Sequence, residues 1–176
     1  MDNRYIMTAF GQDRPGIVAD VTRLLYDNGC NLEDTSMTLL ADEFTLILLF
    51  TAQDPQVEER LARECRRLER DRGISAFLRP LPAGRGARVP AGEACVLHVE
   101  GEDQAGIVYQ LSRFLAERGV NIVDLKSTVH AAPGSGTPIY VMDLHVRLPA
   151  GTARGDISAG LAAVADELNV DVALES

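Results

Sequence analysis

The chain lacks a long run of apolar residues, although 46% of its 176 residues are hydrophobic. Its longest apolar stretch, FTLILLFTA at 44–52, is far too short to cross a bilayer. The N-terminus MDNRYIMTAF has an acidic residue at position 2 and lacks the extended apolar segment of a secretory signal. We therefore expect a cytoplasmic protein with enough apolar residues for a packed core.

Cysteine is also scarce. The three cysteines, Cys30, Cys65 and Cys95, lie 35 and 30 residues apart. This spacing excludes a CxxC redox pair and a zinc knuckle, and an odd number is typical of a reducing compartment. We therefore expect buried thiols without disulfides.

Positive charge is in deficit, since 17 Lys and Arg face 26 Asp and Glu, for a net charge of −9. Phosphate binding needs clustered Lys and Arg, so the balance argues against nucleic acid as a direct partner. The arginines between positions 60 and 72 are interleaved with acidic residues, which is typical of a solvated helix face. A docking surface for an acidic partner is the alternative.

No catalytic constellation emerges. There is no GxSxG turn, and no nucleophile has an obvious base beside it. The histidines, His98, His130 and His145, fall on strand positions or strand ends, where we interpret them as surface residues. The alternative is a metal site formed by His98, His145 and either Asp143 or Glu100. The sequence thus predicts no enzyme, no cofactor and no metal.

A repeat is what the sequence does contain. GQDRPGIVAD, which starts at position 11, returns as GEDQAGIVYQ at position 101, and 11 of the 30 positions counted from each start are identical. A repeat of this length indicates two copies of one folding unit. The intervening PLPAGRGARVPAGE has the composition of a linker. The predicted domains are 1–81 and 93–176, joined by a linker over 82–92.

The apolar period switches in the same order within each copy. Alternation predicts a strand, helical spacing then predicts a helix that Gly29 or Gly119 ends, and two strands, a second helix and a last strand follow. The order βαββαβ is α+β and ferredoxin-like: one antiparallel sheet with two helices on one face. The predicted inward residues of the last helix are Ile157, Leu161, Val164 and Leu168.

The sheet faces away from the helices differ between the copies. A sheet with one solvated face alternates cleanly between apolar and polar residues, and the first copy does not. Its outward residues are Ile6, Phe10, Ile47 and Leu49, whereas the second copy has Val96, Glu100, Asp143 and His145. We predict that another protomer or the other unit covers the first outward face.

The repeated turn runs from a strand into a helix, so backbone amides near 14–17 and 104–107 lie at a helix N-terminus. Such amides receive a carboxylate. Gly16 and Gly106 lack a β-carbon, so that a ligand can approach the main chain. A role in helix–sheet packing is the alternative for both glycines.

Polar residues near this turn complement a second charge. Asp13 and Asp103 supply carboxylates for an ammonium group, while Asn31 and Asn121 supply a donor and an acceptor. A carboxylate receiver beside ammonium acceptors matches a free amino acid. The aspartates are equally explained as helix N-caps, and the asparagines as turn residues.

The stretch DRPGIVADVTRLLYDNGCNLEDTSMTLLADEFTLILLF resembles an ACT domain, a small-molecule-sensing module of amino-acid metabolism. Two such domains in a chain of this length are similar to the glycine cleavage system transcriptional repressor family. DRPGIV also resembles the N-terminal regulatory domain of formyltetrahydrofolate deformylase, but no catalytic domain follows it here.

The resemblance implies a homodimer that senses a small amino acid, with glycine as first candidate, and regulates through a transcription factor. It places the ligand between neighbouring domains, in contact with the strand–helix turn of one and the start of the second strand of the other. A ligand-free protein-interaction module is the alternative function. The implied contacts are Asp13, Arg14, Pro15, Gly16, Ile17, Asn31, Asp103, Gln104, Ala105, Gly106, Ile107 and Asn121. The second copy reads DQAG for DRPG, so the two sites differ.

Overall fold

A computed structural model of the chain describes residues 3–82 and 92–175, which form two units. All of the predicted linker except its two end residues lies outside the described residues. The first unit contains β1 (Asn3–Gln12), α1 (Ile17–Asp27), β2 (Asn31–Leu40), β3 (Glu43–Ala52), α2 (Val57–Arg72) and β4 (Ser75–Leu81). The second contains β5 (Glu93–Glu102), α3 (Ile107–Glu117), β6 (Asn121–Ala131), β7 (Pro138–Leu148), α4 (Arg154–Leu168) and β8 (Val170–Glu175).

Each unit has the predicted βαββαβ order and one four-stranded antiparallel sheet. The strand orders are β2-β3-β1-β4 and β6-β7-β5-β8. The first strand of each unit is therefore central, and the second strand lies at an edge. None of the helices in the described ranges is long and apolar enough to span a membrane.

The core of each unit lies between its helices and one sheet face. Alternate residues of β1 and β3 are buried, and α1 buries one face at helical spacing. Gly29 follows the helix with φ 67°, and the Cys30 amide donates to the Leu25 carbonyl, which ends the helix as predicted. The buried residues of the first unit include Tyr5, Met7, Ala9, Ile17, Val21, Leu25, Phe44, Leu46, Leu48, Phe50, Val57, Leu61 and Cys65.

One predicted core position in the last helix is wrong. Val164 is only partly buried, and Ala165 takes the inward position between Leu161 and Leu168. A helix advances 3.6 residues per turn, so steps of three and four both return to the same face. The apolar pattern favoured the larger side chain, but the packed helix is rotated toward the alanine.

Leu→Ala substitutions at a buried and at an exposed strand position distinguish the contribution of core packing from that of intrinsic strand preference. Leu48 of β3 is 0% exposed and Leu39 of β2 is 49% exposed. We predict that Leu48→Ala lowers the free energy of unfolding by about 2–5 kcal/mol, because it leaves a cavity, whereas Leu39→Ala costs less than about 1 kcal/mol. Urea unfolding followed by circular dichroism measures both, and equal losses would contradict this core assignment.

The cysteines lie in surroundings that suppress their reactivity. Burial raises the pKa of the Cys65 thiol to about 11, and it also raises the pKa of Cys30 and Cys95. Because the thiolate is the nucleophile, we predict that all three react more slowly with a disulfide reagent at pH 8 in the folded protein than in guanidinium chloride. Cys65 labelled at the rate of the unfolded chain would disprove its burial.

Candidate functional site

The strand–helix turn of the first unit forms an exposed corner at one end of the sheet. Gly16 is the N-cap of α1 with φ 89°, a left-handed conformation that glycine adopts without strain. In the part of the chain that the structure describes, no side chain caps this helix. The amides at the start of α1 thus have no competing side-chain acceptor, and a positive helix end points at solvent.

Arg14 gives this corner a positive side chain. Its Nη2 donates to Asp20 Oδ2 at 2.6 Å, and its Nη1 donates to the Pro15 carbonyl at 3.4 Å. The Arg14 hydrogen bond holds the pKa of the Asp20 carboxyl below its usual value. The guanidinium therefore lies across the first turn of α1, anchored at one side and about one-third exposed.

The corner of the second unit has the same backbone but a different side-chain set. Gly106 caps α3 with φ 102°, again without a capping side chain among the described residues. Gln104 stands where the first unit has Arg14, and its amide donates to the Leu168 carbonyl at the end of α4. Gln110 replaces Asp20. The second corner thus lacks the ion pair of the first.

The N-cap explanation for the aspartates is wrong, because glycine holds that position in both units. The Asp13 amide donates to the Asp42 carbonyl at 2.7 Å, and the Asp103 amide donates to the Pro138 carbonyl at 3.0 Å. Asp13 is thereby tied to the connection between β2 and β3, and Asp103 is tied to the first residue of β7. Both are exposed at the corner, as are Pro15, Gly16, Ala105 and Gly106.

Ile17 and Ile107 belong to the core rather than to the solvent side of the corner. Their side chains are 3% and 2% exposed, respectively. They anchor the start of each helix on the sheet, and only their backbone faces the corner. In both units this core contact sets the direction in which the first-turn amides point.

Asn31 and Asn121 lie at the opposite end of their own sheets. Asn31 pairs with Thr51, whereas the corner follows Gln12, which pairs with Glu43. Eight residues of β3 separate these pairs, about 27 Å at 3.4 Å per residue. A single unit therefore does not bring its asparagine to its own corner. Asn121 pairs with Arg147 in the same way.

Asn31 instead lines a polar groove between the end of α1 and the start of α2. Arg60 crosses it, donating to Asp54 Oδ2 at 2.6 Å and to Asn28 Oδ1 at 3.3 Å. Neither Arg60 nor Asp54 is predicted as a site residue from the sequence, because the predicted sites rest on the repeat and position 160 is glycine. The difference between arginine at position 60 and glycine at position 160 was the sequence signal that could have indicated a feature specific to the first unit.

His98 lies beside two acidic side chains on the sheet surface of the second unit. His98 Nδ1 lies 2.6 Å from Asp143 Oδ1, and His98 Nε2 lies 3.6 Å from Glu175 Oε2. Across residues 3–82 and 92–175, no group of three or more His, Cys, Asp and Glu side chains has metal-binding geometry. The arrangement is a cross-strand polar cluster on a sheet surface.

The fold defines a class of protein: a tandem pair of ferredoxin-like domains, each with a glycine-capped corner. An ACT-domain model matches residues 3–78. The chain is 25% identical over 167 residues to the glycine cleavage system transcriptional repressor of Escherichia coli K12, covering 93% of this chain and 85% of that protein. It therefore belongs to the ACT-domain proteins and is homologous to that repressor along most of its length.

Two further comparisons cover part of the chain and nearly all of it, respectively. A UPF0237 protein of Methanopyrus kandleri is 38% identical over 61 residues, which cover 35% of this chain and 68% of that protein. The crystal structure of an unknown protein from Galdieria sulphuraria superposes with a TM-score of 0.79 at 26% identity, covering 99% of this chain and 98% of that one. The tandem arrangement thus recurs over a whole chain of known structure.

The ion pair at the first corner is testable by titration. A carboxyl with a lowered folded pKa stabilises the fold above its unfolded pKa, near 3.8, and this contribution is lost as pH falls through the folded value. We predict that Arg14→Gln raises the pKa of Asp20, as measured by NMR titration of carboxyl carbons. Asp71, whose pKa is lowered chiefly by Arg70, is the internal control and stays unchanged. An unchanged Asp20 would contradict the pairing.

Proposed function

We propose that this protein is a non-catalytic regulator that binds a small amino acid, with glycine as the first candidate. The observation that carries the proposal is the pair of equivalent helix N-termini at Gly16 and Gly106. Both glycines are exposed and adopt the left-handed backbone conformation, and no described side chain caps either helix. Backbone amides at such a start bind a carboxylate, and glycine lets the ligand reach them. Membership of the ACT-domain proteins supports a small-molecule role.

The first corner offers partners for both charges of a zwitterion. First-turn amides and the Arg14 guanidinium receive the carboxylate, while the exposed Asp13 carboxylate attracts the ammonium. Glycine has five heavy atoms, so a ceiling of about −1.5 kcal/mol per atom gives roughly −7 kcal/mol and micromolar binding at best. With an affinity in that range, the occupancy of the site changes with the concentration of the metabolite and does not stay saturated.

Differences between the corners favour unequal occupancy. The Gln104 amide is uncharged and is engaged with the end of α4, so it does not replace Arg14 as a charged receiver for the carboxylate. The connection beside the second corner is also longer, with six residues between β6 and β7 against two between β2 and β3. We propose that the first corner is the tighter site.

A neighbouring unit completes the site in this proposal. β2 is an exposed edge strand over its whole length, with unpaired backbone groups on one side. When two edge strands pair in antiparallel fashion, the start of one lies beside the end of the other. Such pairing carries Asn31 of one unit to the corner end of its neighbour, which a single sheet does not achieve. Assembly of homodimers is part of this proposal.

The regulatory output is proposed to be protein contact rather than DNA binding. A net charge of −9 opposes binding to phosphate backbones. The E. coli relative is named a transcriptional repressor. The proposed partner of this chain is accordingly a transcription factor whose activity depends on whether the corner is filled, and we propose that the protein acts in the cytoplasm.

Isothermal titration with glycine, serine and alanine tests ligand binding. We expect heat from at least one of them, and we expect Arg14→Gln to weaken that binding by at least about tenfold, since a charge-assisted hydrogen bond contributes about 1.5–3 kcal/mol. Arg23→Gln is the matched control, because it removes the same charge from α1 away from the corner.

Two results would overturn the sensing proposal. Absence of heat from a full panel of amino acids would favour a ligand-free interaction module. Equal weakening by Arg14→Gln and Arg23→Gln would show that net charge, and not the corner, governs binding.

A further inference from the structure

The first sheet presents a continuous apolar face on the side away from its helices. Phe10 and Phe77 stack with ring centroids 6.0 Å apart and are 41% and 65% exposed. Large exposed apolar patches mark interaction sites. We refer to these side chains as the open face of the first unit: Ile6, Phe10, Ile47, Leu49 and Phe77.

Charge on this face lies at its rim. Arg4, which is ion-paired with Glu33, and Glu43 lie near the ends of the central strands β1 and β3. Ile6 pairs with Leu49 at the centre of one row of residues. Arg79 on β4 pairs with Ile6, and Asp34 on β2 pairs with Leu49, so this row ends in opposite charges. Direct antiparallel partners share a sheet face. The face therefore has an apolar centre, a positive edge and a negative edge.

The equivalent face of the second unit is chemically unlike it. Glu100 stands in place of Phe10, and Asp143 in place of Ile47, with Asp143 held by His98 at 2.6 Å. Burying such charges against apolar side chains removes their water without replacing it. A surface of that kind is a poor complement for the open face of the first unit, whereas a second face with an apolar centre is a good one.

We propose that the open face of the first unit docks against the same face of a second copy. A twofold axis parallel to the strands exchanges the two sheet edges, so Arg79 of one copy lies over Asp34 of the other, and the contact occurs twice. The same rotation keeps the strand directions aligned, as in packed sheets. A self-complementary patch of this kind is what a twofold dimer requires.

The available area is sufficient for such a dimer. Four strands about 4.8 Å apart and about 30 Å long give roughly 570 Å² of flat area per copy. Docking of two copies thus buries at least about 1,100 Å² of surface, which exceeds the ~1,000 Å² of a specific interface. The true buried surface is larger, because side chains protrude from the flat sheet. This surface is distinct from the β2 edge that the proposed function uses, and the inference does not depend on ligand binding.

Sedimentation equilibrium of the full chain without ligand tests the surface. We expect twice the chain mass of 19.1 kDa at micromolar concentration. Phe10→Glu and Ile47→Asp each raise the dimer dissociation constant at least about 100-fold, because each dimer then buries two unpaired carboxylates. The second unit carries Glu100 and Asp143 at these positions, so the fold accommodates them. Val96→Asp on the second unit's open face is the matched control and leaves the dimer intact.

A charge exchange tests the orientation. Arg79→Glu alone weakens the dimer, and the double variant Arg79→Glu with Asp34→Arg restores it, while circular dichroism confirms folding. Two results overturn the proposal. One is a wild-type protein that stays monomeric at about 100 µM, where even weak specific dimers form. The other is a dimer that Phe10→Glu and Ile47→Asp do not weaken. Titration of Phe10→Glu with glycine separates the two hypotheses, since loss of the dimer need not abolish ligand heat.

Discussion

One-sided packing of two helices on a four-stranded sheet is the constraint on which the structure depends. Leu48 and Phe50 are fully buried under the helices, while Ile47 on the alternate face is 42% exposed. Because strand residues alternate between faces, each unit has one buried face and one open face. The corner exists for the same reason, since the chain must leave the central strand and turn at once into a helix that covers it.

The two units use this common framework differently. The first places Arg14 and Asp20 at its corner and keeps its open face apolar. The second places Gln104 at its corner and a hydrogen bond between His98 and Asp143 on its open face. Side chains that do not build the core have diverged, while the core and the glycine caps have stayed alike. A duplicated fold thereby presents two chemically different sheet faces, one with an apolar centre and one with charged side chains.

The proposed sensing and the proposed edge-strand assembly are physically linked in this framework. The corner end of a unit and its Asn31 end are separated by the length of the sheet, so one ligand cannot contact both within a unit. A ligand that requires both stabilises the arrangement of neighbouring units that brings them together. Weak binding of a small zwitterion can then change which surface a partner protein meets.

The sequence by itself determined the repeat, the βαββαβ order and nearly all of the core, because apolar periods of 2 and 3.6 report which face each strand and helix buries. It missed the inward Ala165, since small residues carry little hydrophobic signal, and it left open whether Asp13 capped the helix. Only the tertiary structure decided that glycine is the cap, that Arg14 pairs with Asp20 and that Asn31 lies far from its own corner. Those facts depend on strand register and side-chain packing between segments distant in sequence, which local pattern does not encode.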